Sequence, residues 1–273
     1  MKIIFFGTPD YCLPVLEKIY KYYEIVAVVT QSPKPVGREK ILTYSAVDNW
    51  AHKKHIPIHF NFEKLPKADL GILVAYGKII PESTLNSFKF GILNIHPSLL
   101  PKFRGASPIQ ENIIEEPEKI GVTIIKLDSK MDHGPIVTQF KDELLPDDTL
   151  NSVRQRLFER SSDSLLELLP AYEKEKITLK KQDESLATYT KLIKKDDGFI
   201  DLKKDDPEKI MRKSKAYFPW PGIWTKLSNG KRLKILSCHM EEKNLILDEV
   251  QLEGKGPVSW NQFKSAYSKD FTF

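Results

Sequence analysis

The sequence predicts an α/β domain built on a mostly parallel sheet, followed by a small all-β barrel. Three observations carry this expectation. Strand-like and helix-like stretches alternate through about residue 140, the pattern of a sheet covered by helices on its faces. A polar, lysine-rich stretch breaks the apolar periodicity between Ile177 and Asp206, as a linker does. Beyond it, short apolar runs are separated by NG, EE and GKG breaks, the punctuation of a compact barrel. The expected organisation is a first domain over residues 1–180, a linker over 181–200 and a second domain over 201–273.

Taken in order, KIIFFG (2–7) is continuously apolar and reads as a buried strand. Asp10 to Tyr20 places Leu13, Leu16 and Ile19 at helical spacing, IVAVVT (25–30) is a second buried strand, and Ser45 caps a helix running to Lys54. IPIHF (56–60), LGILVAYG (70–77) and ILNIH (92–96) read as further strands. GVTIIKLD (121–128) and PIVTQF (135–140) flank the short SKMDHG loop as a hairpin or bent pair. Thr149 to Leu169, with Leu150, Val153, Leu157, Leu165 and Leu169 near one face, is a long amphipathic helix that closes the domain. In the last third, GIWTKL, RLKILSC and NLILDEVQL supply the strands of the barrel. The whole describes a Rossmann-like sheet with an OB-like barrel after it.

Composition narrows the class. With 41% hydrophobic and 29% charged residues in 273, the chain has the balance of a soluble globular protein. No apolar stretch approaches the ~18 residues of a membrane span, and the start MKIIFFGTPDY has too short an apolar run for a secretory leader. Cys12 and Cys238 match no disulfide or zinc spacing, which fits a reducing cytoplasm. His52, His55 and His59 are read as surface histidines, since Pro57 breaks any helix that would align them on a metal. The strand-glycine-helix start FFGTPD lacks the second and third glycines of a dinucleotide loop, so the fold is expected without that ligand. Through residue 184 basic and acidic residues number 25 each, so totals of 42 and 37 leave 17 and 12 beyond it, and the net charge of +5 lies in the last third. A basic minor domain beside a neutral one suits a polyanionic partner, although a lysine-rich solvated surface explains the same numbers.

The chemistry-bearing residues fall in LNIHPSLLPKFRGASPIQ (93–110) and GVTIIKLDSKMDHGPIV (121–137). Asn94 and His96, two apart at a strand end, share one face, and Pro97 holds His96 extended. Asp132 sits in the loop between two apolar strands. An amide donor, an imidazole and a carboxylate are the groups that stabilise a developing oxyanion and manage a proton, so the trio points to acyl transfer. His133 competes for the imidazole role; the shared direction with Asn94 favours His96. Pro97 and Pro101 bracket a stiff apolar stretch against which a flat aromatic ligand can lie.

Asn94-x-His96-Pro97-Ser98-Leu99-Leu100-Pro101-x-x-Arg104-Gly105-Ala106-x-Pro108, with Gly121-Val122-Thr123 and Asp132-x-Gly134, resembles the signature of the formyltransferases that use 10-formyltetrahydrofolate. FFGTPDYCLPVLEKI, PVGREKIL, VAYGKIIP, AYFPWPGIWT and GKGPVSWNQF extend the likeness over nearly the whole chain and toward the branch acting on methionyl-tRNA. The resemblance implies that Asn94, His96 and Asp132 are the catalytic trio, and that no metal takes part. It implies a folate site at Ser98, Leu99, Leu100 and Pro101, with the pterin near Val74, Ala75, Tyr76 and the loop from Leu127, and with Ile79 lining the pocket. It implies contact of Lys34, Arg38 and Lys40 with the tRNA acceptor end; Glu39 departs from the uniformly basic pattern. A monomer in the cytoplasm follows by the same likeness. The alternatives are a formyltransferase for the amino sugar of a sugar nucleotide, a folate sensor or RNA-binding module without turnover, and a deformylase using water.

Overall fold

A computed structural model describes residues 1–37 and 39–267. They form two units: residues 1–108, 119–143 and 154–190 make the first, and residues 109–118, 144–153 and the chain from Lys191 onward make the second.

In the first unit, KIIFFG is β1 (Lys2–Gly7), with Ile3 to Phe6 all buried, as in a strand covered on both faces. After a 3-10 turn, α1 (Leu13–Tyr20) buries Val15, Leu16 and Ile19. It starts later than Asp10 because Pro14 occupies its first turn, where a proline opens a helix. β2 (Glu24–Val29) follows, then β3 (Lys34–Val36) and β4 (Ile41–Thr43), which pair as an antiparallel hairpin. No strand was expected between β2 and α2, because the strands of this hairpin have three residues each, too short to show a period. Ser45 caps α2 (Ala46–Lys53), its Oγ accepting from the Asp48 N–H at 3.0 Å. The order along the chain continues with β5 (Ile58–His59), β6 (Leu70–Val74), α3 (Glu82–Leu85), β7 (Ile92–His96), β8 (Arg104–Gly105), α4 (Pro108–Glu115), β9 (Gly121–Lys126), β10 (Ile136–Lys141), α5 (Leu150–Glu173) and β11 (Tyr189–Thr190); of these, α4 after Pro108 and the first turn of α5 through Val153 are grouped with the second unit.

Seven strands build one sheet in the order β10-β9-β7-β6-β1-β2-β5. β5, β2, β1, β6 and β7 run parallel, while β9 and β10 are antiparallel to their neighbours. The chain leaves β1 for β2 on one side and returns to β6 on the other, which opens a crevice at the carboxyl ends of the central strands. An apolar cluster including Phe6, Val29, Tyr76, Phe88 and Ile92 packs one side of the sheet. α5 runs past Pro170 to Glu173, beyond the expected end at Leu169, because buried Tyr172 anchors the last turn by donating its hydroxyl to the Phe90 carbonyl at 2.9 Å.

The stretch expected as linker is divided between the units at Thr190. Its first part is tied to the first unit, where Thr188 accepts from Phe103 N–H and β11 pairs with β8.

The second unit contains α6 (Pro207–Ala216), β12 (Ile223–Lys226), β13 (Arg232–Glu241), β14 (Asn244–Leu252), β15 (Pro257–Ser259) and α7 (Trp260–Tyr267). Its four strands pair antiparallel in sequence order. Among the described residues the expected barrel is an open sheet whose edge strands, β12 and β15, span four and three residues. Two helices pack on it that the all-β expectation did not include. Both carry local start signals: Asp206 caps α6 through the Lys209 N–H at 3.0 Å with Pro207 in the first turn, and Ser259 and Gln262 bond reciprocally at the start of α7.

Candidate active site

Asn94 and His96 lie two residues apart on β7, paired with Ile125 and Thr123 of β9. Strand alternation turns both side chains to one face, and both are buried, at 6% and 4% exposure. Asp132 comes from the turn between β9 and β10. Its Oδ1 accepts from the Asn94 amide at 3.3 Å and stands 3.7 Å from His96 Nδ1, while Oδ2 accepts from the Gly105 N–H at 2.8 Å. The trio expected from spacing therefore meets at the end of one strand.

His96 Nε2 lies 2.9 Å from the Phe103 carbonyl. A carbonyl only accepts, so Nε2 carries the hydrogen and Nδ1 is the nitrogen left to gain or lose a proton. His133, the competing imidazole, is engaged elsewhere: Nδ1 lies 2.5 Å from Asp128 and Nε2 3.5 Å from Glu184.

Three residues with side chains hold left-handed backbone around this point, Ala75 (φ 48°), Phe103 (φ 60°) and Asp132 (φ 49°). Such conformations cost about 1–3 kcal/mol each and persist only where the surroundings impose them. Gly105 needs its missing side chain, since a Cβ there would lie 2.6 Å from the Thr190 carbonyl.

Ser98 to Pro101 form a braced wall. Thr123 Oγ1 donates to the Ser98 carbonyl at 2.7 Å and accepts from the Leu100 N–H at 3.0 Å. Gln139 donates to Thr123 Oγ1 and to the Leu100 carbonyl. Ser98 and Leu100 are buried, and Leu99 and Pro101 are half-buried. Sequence reading assigned no part to Thr123 or Gln139; the signal was a polar residue inside each of two apolar strands.

At the end of β6, Val74 is buried and Tyr76 is fully buried against Phe6 and Phe62. The Tyr76 carbonyl accepts from Thr8 Oγ1 at 3.1 Å and Gln31 Nε2 at 3.0 Å, and its hydroxyl has no partner among the described residues. Burial pushes that phenol's pKa up. Leu127 packs against the same cluster, whereas Ile79 is 80% exposed, an apolar side chain held out in the turn after β6.

Arg104 is fully buried and multiply held. It donates to both oxygens of Glu184 at 2.9 and 2.7 Å, to Gln182 Oε1 at 3.2 and 2.7 Å, and to the Tyr189 hydroxyl at 3.2 Å. That hydrogen-bonded guanidinium holds the Glu184 carboxyl below its usual range. Gln182 and Glu184 were not among the expected site residues, because nothing in a polar stretch 78 and 80 residues downstream marks it as a partner of Arg104.

Lys34 sits on β3, its ammonium donating to Gln31 Oε1 at 2.8 Å, and Lys40 is exposed in the turn before β4 with φ 51°. Val36, Ile41 and Leu42 of the same hairpin are exposed. Arg38 lies outside the described residues. No group of three His, Cys, Asp or Glu among the described residues is placed to hold a metal ion. No helix there is long and apolar enough to cross a membrane.

Residues 1–169 match the family model described as formyl transferase, and residues 192–245 match that of the formyl transferase C-terminal domain. Methionyl-tRNA formyltransferase of Dictyoglomus thermophilum is 37% identical over 265 residues, covering 93% of this chain and 84% of that one. The enzyme of that name from Fusobacterium nucleatum is 37% identical over 273 residues, covering 94% and 87%. Among solved structures, methionyl-tRNA formyltransferase from Clostridium thermocellum superposes with a TM-score of 0.64 at 19% identity, covering 94% of this chain and 100% of that one. HypX from Aquifex aeolicus in complex with tetrahydrofolic acid gives 0.65 at 16% identity, covering 98% and 48%. At these identities the two structures speak to the fold alone.

Proposed function

The chain belongs to the formyl transferase family, and we propose that it transfers a formyl group from 10-formyltetrahydrofolate to the free α-amino group of methionyl-tRNA, giving N-formylmethionyl-tRNA for translation initiation. The observation that carries this reading is the meeting of Asn94, His96 and Asp132 at the end of β7. The name shared by relatives that match over most of their length supports the acceptor.

The residues present fit a flat, mostly apolar co-substrate with a polar edge. Leu99 and Pro101 offer a half-buried apolar wall, and Ile79 projects beside the chain turn at Ala75 and Gly77. We assign folate binding to Ser98, Leu99, Leu100, Pro101, Val74, Ala75, Tyr76, Ile79 and Leu127, through backbone groups and apolar side chains. The co-substrate supplies an activated formyl group. Asn94 directs its amide N–H at the oxygen on which charge develops, and His96, carrying a proton on Nδ1, adds positive charge there. Asp132 holds that charge in place across 3.7 Å and receives through a water the proton released by the amine; that proton would pass on to the folate nitrogen that gives up the formyl group, so that the new C–N bond forms as the old one breaks. The amine needs little activation: an α-amino group titrates near ~7.7–8.0, so much of it is neutral at physiological pH.

Lys34 and Lys40 of the hairpin contact the acceptor end through phosphates, which asks only for basic, accessible groups, and Arg38, of the same stretch of sequence, is assigned to that contact with them. The two free cysteines suit a cytoplasmic setting, and the chain acts as a monomer. The test is direct. Purified protein with 10-formyltetrahydrofolate is offered methionyl-tRNA, uncharged tRNA, an amino-sugar nucleotide and water in parallel. Formyl on methionyl-tRNA alone supports the reading; formyl on the sugar, or free formate only, overturns it.

A further inference from the structure

The carboxamide of Gln182 stands between buried Arg104 and the turn that presents Asp132. Its Oε1 accepts from Arg104 Nε and Nη2 at 3.2 and 2.7 Å. Arginine only donates, so the amide has one workable orientation and Nε2 must face the other way. There it donates to two carbonyls, those of Asp132 and Gly134, both at 2.8 Å. Arg104 is itself fixed by burial and by both oxygens of Glu184.

Asp132 needs such a restraint. Its φ of 49° is a conformation that residues with a Cβ leave unless held. Gly134, two residues on, packs so closely that a Cβ there would lie 1.9 Å from the Lys126 carbonyl. The backbone of the turn is thus pinned from one side by β9 and from the other by Gln182, and from there the carboxylate reaches Asn94, His96 and the Gly105 N–H.

We propose that Gln182 is a positioning residue, oriented by Arg104, which holds the backbone of Asp132 and thereby sets its carboxylate against Asn94 and His96. The inference rests on the formyl-transfer reading. It assigns a chemical task to a residue of the stretch between the two matched family segments.

The experiment is a double-mutant cycle on the full chain, with kcat and KM for both substrates, single-turnover rates and Tm for wild type, Gln182→Leu, Asp132→Ala and the double variant. Gln182→Leu is expected to lower kcat roughly 10- to 100-fold, the scale of a misplaced reacting group. Neither KM should move more than about twofold. In the Asp132→Ala background Gln182→Leu should have no further effect, because its only route to the chemistry is gone. Gln182→Glu has the same size and keeps an acceptor for Arg104, yet turns a carboxylate oxygen onto two carbonyls. It should lose at least as much kcat, and it carries the cycle if the leucine variant does not fold. Equal fold-losses with and without Asp132, a raised KM at unchanged kcat, or wild-type turnover by both Gln182 variants would overturn the proposal. Wild-type protein that transfers no formyl group sinks the functional reading instead, and that result appears in a separate row of the same assay.

Discussion

His96 and Asp132 stand 3.7 Å apart, Nδ1 to Oδ1, while the other ring nitrogen of His96 is committed to the Phe103 carbonyl. The ring therefore cannot turn without leaving a buried carbonyl unpaired, and its other nitrogen, Nδ1, faces a carboxylate. Asp132→Asn keeps an oxygen for the Gly105 N–H but removes the negative charge. Formyl transfer by Asp132→Asn should fall about 10²- to 10⁴-fold in kcat, the range for losing a positioned proton-handling group. Tm should stay close to wild type. Turnover within a factor of three of wild type, measured with methionyl-tRNA saturating, would remove Asp132 from the chemistry.

Asn94 donates to Asp132 with one N–H, and an amide has a second. Removing one donor to a developing oxyanion typically costs ~2.7–4 kcal/mol of barrier. Asn94→Ala should therefore slow single-turnover formyl transfer roughly 10²- to 10³-fold. Equilibrium binding of the folate should change far less, since the donor matters most where charge has developed. A loss that appears only in folate affinity would assign Asn94 to ground-state binding.

How far the sequence reached is clearest residue by residue. Asn94 and His96 were legible because two-residue spacing on a strand fixes a shared direction, and the apolar runs around them fixed the strand. Asp132 was legible as an acid in a short loop between strands, but its left-handed backbone was not, because aspartate in that conformation has no sequence mark. The braces were harder. Thr123 and Gln139 act on Ser98 and Leu100 across 23 to 39 residues, and Gln182 acts on Arg104 across 78. Side-chain bonds at such separations depend on the finished topology. In the last third, short apolar runs correctly signalled strands, while the all-β reading passed over the Asp206-Pro207 and Ser259-Gln262 start signals that open α6 and α7.

Glu184 links pH to the same framework. Arg104 holds its carboxyl below the ordinary value of 4.5. A carboxylate whose pKa is lowered by folding adds stability above its unfolded value, and that stability is lost as pH falls through the folded value. Wild type should therefore lose more stability than Glu184→Gln does as pH falls from about 5 through the region below 4.5. Urea unfolding of both proteins across that window measures the difference. Identical pH slopes would mean that the Arg104–Glu184 pair does not persist in solution.

The hairpin of β3 and β4 gives a prediction of another kind, because its basic groups lie away from the trio's hydrogen bonds and are exposed. If Lys34 and Lys40 meet phosphates of the acceptor end, each contributes by releasing a counterion, not by reading a base. Lys34→Ala and Lys40→Ala should each raise KM for methionyl-tRNA while kcat at saturation changes little. The slope of log affinity against log salt should become shallower by about one per lysine removed. Binding of the folate, measured alone, should not respond. That pattern separates a phosphate contact from a defect in the fold, which would depress kcat and Tm together. A salt slope equal to wild type in both variants, with KM unchanged, would move the tRNA contact away from this hairpin.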